Sequence, residues 1–394
     1  MAAENRLIDL PVPARPSLSR RAVLGRLLGA GAGLIFIGSS KARAPKLTIV
    51  DARTYGIAAD GRTDDAQALA KAVAAMVQGC VLALPPGTIA LGSSGWPGIL
   101  IGRLQDVRIQ GHSTILKWLA RPSQSTSGFG PTGLRLFECQ NAVVADIAID
   151  GNGVNCIGLG LDTCTSCIVQ GVEAFAHGTP DPASGGGQLA SSRGDRNSWR
   201  ACVARDSTPG SQTRGFYLGN ANSGWGDAGL TIEGCAAMRN TATGFAIEAA
   251  GMICSGCVSE HNGGAGFTSS TANGSPSSDH LFRGNVARAN VFHGWQTDVY
   301  GPNAERIALL GNVFSDNAHS GVYCHKGTNV SVLGNVISGN GRRTSSAAIS
   351  VSRSSGVAIS NNIIEGETAC IALNNQASEI LVAGNVCRGS HADD

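Results

Sequence analysis

Gly311-Asn312-Val313-Phe314-Ser315-Asp316-Asn317-Ala318-His319-Ser320-Gly321-Val322-Tyr323-Cys324-His325 carries the pattern that decides the fold. Two short segments, Val313-Phe314-Ser315 and Val322-Tyr323-Cys324-His325, alternate apolar and polar residues around a turn. Alternation with period two marks a strand. The opening triplet recurs as Gly284-Asn285-Val286, Gly334-Asn335-Val336, Asn361-Asn362-Ile363 and Gly384-Asn385-Val386. From Asn285 to Asn385 the steps are 27, 23, 27 and 23 residues. Earlier in the chain the same slot reads Gly256-Cys257-Val258, Gly234-Cys235-Ala236 and Ala201-Cys202-Val203. The Asn-x-x-x-Gly turn of 317–321 recurs at 240–244, 262–266 and 290–294. A third apolar segment completes each unit, as in Leu230-Thr231-Ile232, Ile307-Ala308-Leu309, Val330-Ser331-Val332, Val357-Ala358-Ile359 and Ile380-Leu381-Val382.

Three strands in a unit of 22 to 28 residues predict a parallel β-helix. Successive coils then stack about 4.8 Å apart, with like residues over like. After the turn glycine, Phe216, Phe245, Phe267, Trp295 and Val322 are expected to point inward. Leu218, Ile247, Ser269, Thr297 and Cys324 follow them inward two residues later. The Asn slot is expected to form an internal hydrogen-bonding ladder, with Cys202, Cys235 and Cys257 as small buried substitutes. The corner glycines supply the positive φ that a tight corner needs.

Composition agrees with a solenoid and excludes other classes. Gly is 54 of 394 residues, about twice the usual share, with no every-third-residue period, so collagen is excluded. Hydrophobic residues are 42%, enough to build a core. The net charge of +2 gives no ground for a nucleic-acid partner. Length alone allows two or three domains, but a solenoid grows without a new core. Among the twelve cysteines, Cys164-x-x-Cys167 and Cys254-x-x-Cys257 have zinc-ligand spacing. The repeat accounts for them better, as buried rungs.

Residues 1–44 read as an address. Ser19-Arg20-Arg21-Ala22-Val23-Leu24 precedes a Gly/Ala-rich apolar run over 27–37, and Ala42-Arg43-Ala44 offers a cleavage pattern followed by Pro45. The segment resembles a twin-arginine export signal, which implies a periplasmic or secreted protein that folds before export. The run is too short and glycine-rich for a stable membrane span, and no other stretch approaches 18 apolar residues.

Past the address, Tyr55-Gly56-Ile57-Ala58-Ala59-Asp60-Gly61-Arg62-Thr63-Asp64-Asp65 leads into an Ala/Leu-rich helix over 66–76, capped by Asp64 or Asp65. Val81-Leu82-Ala83-Leu84-Pro85-Pro86-Gly87-Thr88-Ile89 then reads as strand, turn, strand. This series resembles the opening of the pectate-lyase-like right-handed parallel β-helix superfamily. The resemblance implies an all-β, right-handed, single-stranded solenoid over 45–394. Its first 45–90 residues would hold the helical cap and first coil, and about 100–394 the repeat coils. The cap covers a sheet edge that would otherwise lie open. The superfamily holds lyases, hydrolases, epimerases and non-enzymes, so activity must be argued from the site.

Aligning the strands that follow the turn glycine places chemistry-bearing residues on one outward face. Two residues after the glycine come Tyr217, Ala246, Thr268, Gln296, Tyr323 and Ser350. Four after it come Gly219, Glu248, Ser270, Asp298, His325 and Ser352, and the fifth position holds Lys326 and Arg353. In a chain with 15% charged residues, Glu248, Asp298, Tyr323, His325, Lys326 and Arg353 on about five coils are a concentration. His325 is expected one coil from Asp298, which would raise its basicity and fix its tautomer. Tyr217 and Gln296 could hold sugar hydroxyls, Trp225 could stack on a sugar ring, and Arg193 lies in a Gly/Ser-rich insert over 177–198.

The expected ligand is a polysaccharide or oligosaccharide. Uronate lyases and epimerases of the superfamily need a base, here His325 or Tyr323, and a proton donor, the other of the two, with Lys326 and Arg353 on the carboxylate. The Tyr-x-His-Lys run of 323–326 resembles the Tyr and His pairing of mannuronan epimerases and alginate lyases in residue type. The Asp-Pro-His motif of those epimerases is absent. A glycoside hydrolase would use Glu248 and Asp298, two coils or roughly 9–10 Å apart, near the upper end of the inverting separation. A glycan-binding or structural repeat protein would use neither set. Other inserts, 208–214, 221–227, 271–279 and 301–305, could wall a groove. His261, His280, His293 and His319 read as solvated turn residues. The Asp60–Asp65 acidic cluster could hold Ca²⁺, though a turn and helix cap fit it better; no other cofactor is implied. Homo-oligomers are common among β-helices, and the sequence leaves that state open.

Overall fold

The structure, a computed structural model, describes residues 48–394 apart from 93–95, 124–129, 179–185, 220–226, 271–276, 298–303, 367–368 and 390–394. The expected export signal over 1–44 lies outside the described residues. The chain is a right-handed parallel β-helix. Each strand of one coil pairs in parallel with its counterpart in the next, as Val322↔Ile349 and Val313↔Val336 do. Eleven described strands, from Ile99–Gly102 to Ile371–Asn374, form the sheet that follows the Asn-x-x-x-Gly turns. The other two strands of each coil, such as Ala304–Leu310 and Val313–Ser315, meet at the Gly-Asn corner and form the remaining faces.

The corner geometry explains the glycines. Gly311, Gly334 and Gly384 have φ of 59°, 62° and 64°. Asn361 fills the same slot at 55°, because Asn is among the few side chains that tolerate this region.

Inside the coil the expected inward residues are buried. Phe216, Phe245 and Phe267 stack over one another with centroids 4.6 and 4.9 Å apart. Trp295 continues the column, and Leu218, Ile247 and Cys324 line the next. The Asn slot is a ladder. Asn285 Nδ2 donates to Asn312 Oδ1, Asn312 to Asn335, Asn335 to Asn362 and Asn362 to Asn385, all within 2.9–3.1 Å. Each carboxamide oxygen also accepts the backbone N–H of the Asn one coil before. A second ladder, not expected as such, runs through the turn asparagines Asn240, Asn262, Asn290, Asn317 and Asn340. The cysteine rungs are buried free thiols facing backbone carbonyls, Cys235 to Trp199 and Cys257 to Ile232 among them. Cys164 and Cys167 point at Leu136 and Cys139 carbonyls in the same way. No group of three metal-ligating side chains occurs among the described residues.

The cap differs in detail from expectation. The helix is Ala66–Ala74, two residues shorter at its C-terminus. Asp64 accepts the Ala66 N–H, while the Asp65 carboxylate turns back to the Ala58 and Ala59 N–H groups. Asp60 accepts from the Arg62 and Thr63 backbone and the Thr63 hydroxyl, and these hydrogen bonds pull its pKa down to about 2. Asp64 also accepts the Gly92 N–H at 3.1 Å, 28 residues on. The insert expected over 177–198 is interrupted by a strand, Gly187–Ser192, because Leu189 fills the inward column between Leu159 and Phe216. No described helix is long and apolar enough to cross a membrane.

Candidate functional site

Strand Val322–His325 presents Tyr323 and His325 on its outer face, two residues apart as the pleat requires. The Tyr323 hydroxyl lies 3.3 Å from His325 Nδ1. The strand is held from behind by Thr297, whose hydroxyl donates to the His325 carbonyl and accepts its N–H, both at 2.7 Å. Gln296 precedes Tyr323 in the same column, in direct register.

Lys326 and Arg353 occupy the corner just past the strand, with φ of 54° and 51°. Lys326 N–H donates to the Ser352 carbonyl and Arg353 N–H to that of Asn375, so the two corners stack. Both cations act on His325. Burial lowers its pKa most, and Lys326 and Arg353 lower it further. Burial raises the Tyr323 hydroxyl, partly offset by Arg353. At neutral pH the pair is thus a neutral imidazole beside a protonated phenol.

Two histidines read as solvated belong to this site. His293 is 9% exposed and stacks on the Tyr323 ring, with centroids 4.5 Å apart and planes 14° from parallel. Burial pushes its pKa down to about 3, with a further contribution from His319. His319 packs against His293 at 5.2 Å and stacks on Phe292 at 5.1 Å. Of the other two, His280 is a buried strand residue whose Nε2 lies 2.8 Å from the Ala249 carbonyl oxygen. His261 is exposed beside Glu260, as expected. The missed signal was the turn alignment. In the units 290–294 and 317–321, Phe292 and His319 share one slot and stack on that account.

The remaining expected site residues lie elsewhere. Glu248 is three coils from His325, roughly 14 Å, and accepts from the Tyr217 and Ser270 hydroxyls at 3.1 and 3.3 Å. Tyr217 is 3% exposed, with the Arg214 guanidinium 4.8 Å from its ring centroid. Arg193 is five coils away and pairs at 2.6 Å with the fully buried Asp162, which Arg135 also contacts. Asp298 and Trp225 lie outside the described residues.

Residues 221–387 match the family model of the right handed beta helix region. Among solved structures, the A-module of mannuronan C-5 epimerase AlgE4 from Azotobacter vinelandii superposes with a TM-score of 0.66 at 18% identity. The match covers 86% of this chain and 98% of that one. The Dettilon tailspike protein matches with a TM-score of 0.56 at 15% identity, over 85% of this chain and 68% of that one. The periplasmic alginate epimerase AlgG matches with a TM-score of 0.53 at 13% identity, over 78% and 70%. No curated protein matches the sequence. At these identities the likeness is one of fold.

The electrostatics make a prediction. Removing a neighbouring positive charge relieves the pressure on protonated His325, so its pKa rises toward the ordinary imidazole value. If His325 must be neutral to act, the acid limb of kcat/KM in Lys326→Met moves to higher pH. A pH–rate profile of the two proteins checks the direction.

Proposed function

We propose that this protein is exported to the periplasm or beyond and cleaves a uronate-containing polysaccharide by β-elimination at Tyr323 and His325. The observation that carries the reading is the neutral His325–Tyr323 pair, joined at 3.3 Å, with two stacked cations at the next corner. In the reactive tautomer Nδ1–H donates to the Tyr323 oxygen, leaving the Nε2 lone pair to face the sugar. Nε2 takes the proton from C5, beside the carboxylate. The C5–H electron pair forms the C4–C5 double bond, the C4–O bond breaks, and the Tyr323 proton goes to the leaving oxygen. Lys326 and Arg353 neutralise the charge that develops on the carboxylate as C5 is deprotonated. Gln296 lies where it can hold a sugar hydroxyl.

Two of the structural neighbours are by name epimerases of mannuronan or alginate, which supports C5 chemistry on this scaffold. Epimerisation shares the first step, then returns a proton to the opposite face of C5. The hydrolase reading has less support, because the Glu248 carboxylate is engaged by two hydroxyls three coils away. The test is incubation with a panel of uronate polymers while following absorbance of the unsaturated product. A rise on any polymer establishes elimination. No rise on any removes it and leaves epimerisation, hydrolysis or glycan binding, which solvent deuterium incorporation at C5 and reducing-end release separate.

A further inference from the structure

Phe292 sits at the turn that leads into strand Trp295–Thr297 and is 46% exposed, next to Val291 at 47%. One face of its ring is taken by His319, 5.1 Å away and only 7° from parallel. Desolvation lowers the His319 pKa, so the pair is an uncharged flat aromatic step. From there the rings run without a break through His293 to Tyr323 and His325, at centroid steps of 5.2, 4.5 and 5.8 Å. All of them lie on two adjacent coils. The row therefore follows the strand direction, from the turn before the strand to the corner cations after it. Along the solenoid axis toward the N-terminus, the Tyr323 column is half-exposed at Gln296 and buried beyond it. In the Tyr323 column Thr268 is 7% exposed, Ala246 5% and Tyr217 3%.

We propose that Phe292 and His319 form a sugar-stacking subsite, and that the polysaccharide crosses the sheet along the strands rather than running down the solenoid axis. This rests on the reading of Tyr323 and His325 as the reacting centre. The C–H face of a pyranose ring packs on an uncharged aromatic plane for the same reason that apolar surface leaves water. The steps cross back and forth between the two coils, so the row is shorter than their sum. The subsite holds a sugar beyond the one over Tyr323, and it sets a minimum substrate length.

The test is a series of oligosaccharides of increasing length from the polymer that is turned over, compared between wild type and Phe292→Ala. The ratio of kcat/KM for the longest over the shortest is expected to fall about ten-fold, the loss of one aromatic contact of ~1.4 kcal/mol, and Phe292→Tyr restores it. An unchanged ratio overturns the subsite while leaving the reaction intact. Retardation during electrophoresis through polymer-containing gel gives a second readout, using Tyr323→Phe with and without Phe292→Ala. Retardation that depends on Phe292, with no turnover of any polymer by the wild type, supports the subsite and overturns the elimination reading. Neither retardation nor turnover with any polymer overturns both.

Discussion

His325→Ala is expected to lower formation of unsaturated product by about 100- to 10,000-fold, the range for losing a positioned general base. Tyr323→Phe is expected to give a loss in the same range, because in the proposed reaction the phenol oxygen, 3.3 Å from His325 Nδ1, both orients the imidazole and supplies the proton to the leaving group. The two losses do not add. Once either member is gone, the other has no partner through which to act. Folding should be retained, since the strand is held through the His325 backbone by the Thr297 hydroxyl rather than by either side chain. Melting temperatures within a few degrees of wild type check that the effect is catalytic. Unchanged turnover in both variants rules this site out. The pH dependence is expected to follow the directions of the two shifts: activity should persist below the ordinary imidazole range, because the His325 pKa is lowered. The high-pH limb lies above the ordinary tyrosine range, because burial raises that of Tyr323.

Asn312→Ala is expected to cost about 3–5 kcal/mol of stability, among the larger effects a single substitution produces. Asn312 is 1% exposed and bonded on both sides of its rung. Its Oδ1 accepts from the Asn285 backbone N–H at 2.9 Å and from Asn285 Nδ2 at 3.1 Å. Its Nδ2 donates to the Phe282 carbonyl and to Asn335 Oδ1, both at 3.0 Å. Alanine leaves these buried partners short of a bond, at about 1–3 kcal/mol for each group left unsatisfied. Asn285→Cys is expected to be milder. Asn285 is the first rung of that ladder, and Cys257 occupies the same slot one coil earlier. Denaturant titration of the two variants gives the comparison. A loss below ~1 kcal/mol for Asn312→Ala would show that the ladder is decorative.

The repeat was legible because a solenoid writes each contact several times. Asn285 to Asn385 recur at fixed intervals, and their stacking follows from coil spacing alone. The inward aromatics were readable for the same reason. The second ladder was in plain sight at Asn240, Asn262, Asn290 and Asn317, but these residues read as turn chemistry, which Asn also serves. Histidines were misread where burial decides. His280 and His293 lie near polar turn residues in the sequence, yet one sits inside the coil and the other beneath Tyr323.

For the site, strand period placed Tyr323, His325 and Gln296 on one face, and coil stacking placed Lys326 beside Arg353. Both follow from local geometry repeated along the chain. The sequence by itself thus determined the architecture, the inward columns and which residues share the outer face. Only the tertiary structure decided which of them meet. Glu248 and Tyr217 satisfy each other far from His325, while His293 and His319 join it from a neighbouring turn. Periodicity fixes register along and between strands. Side-chain partnership across a turn depends on rotamer and burial, which no repeat encodes.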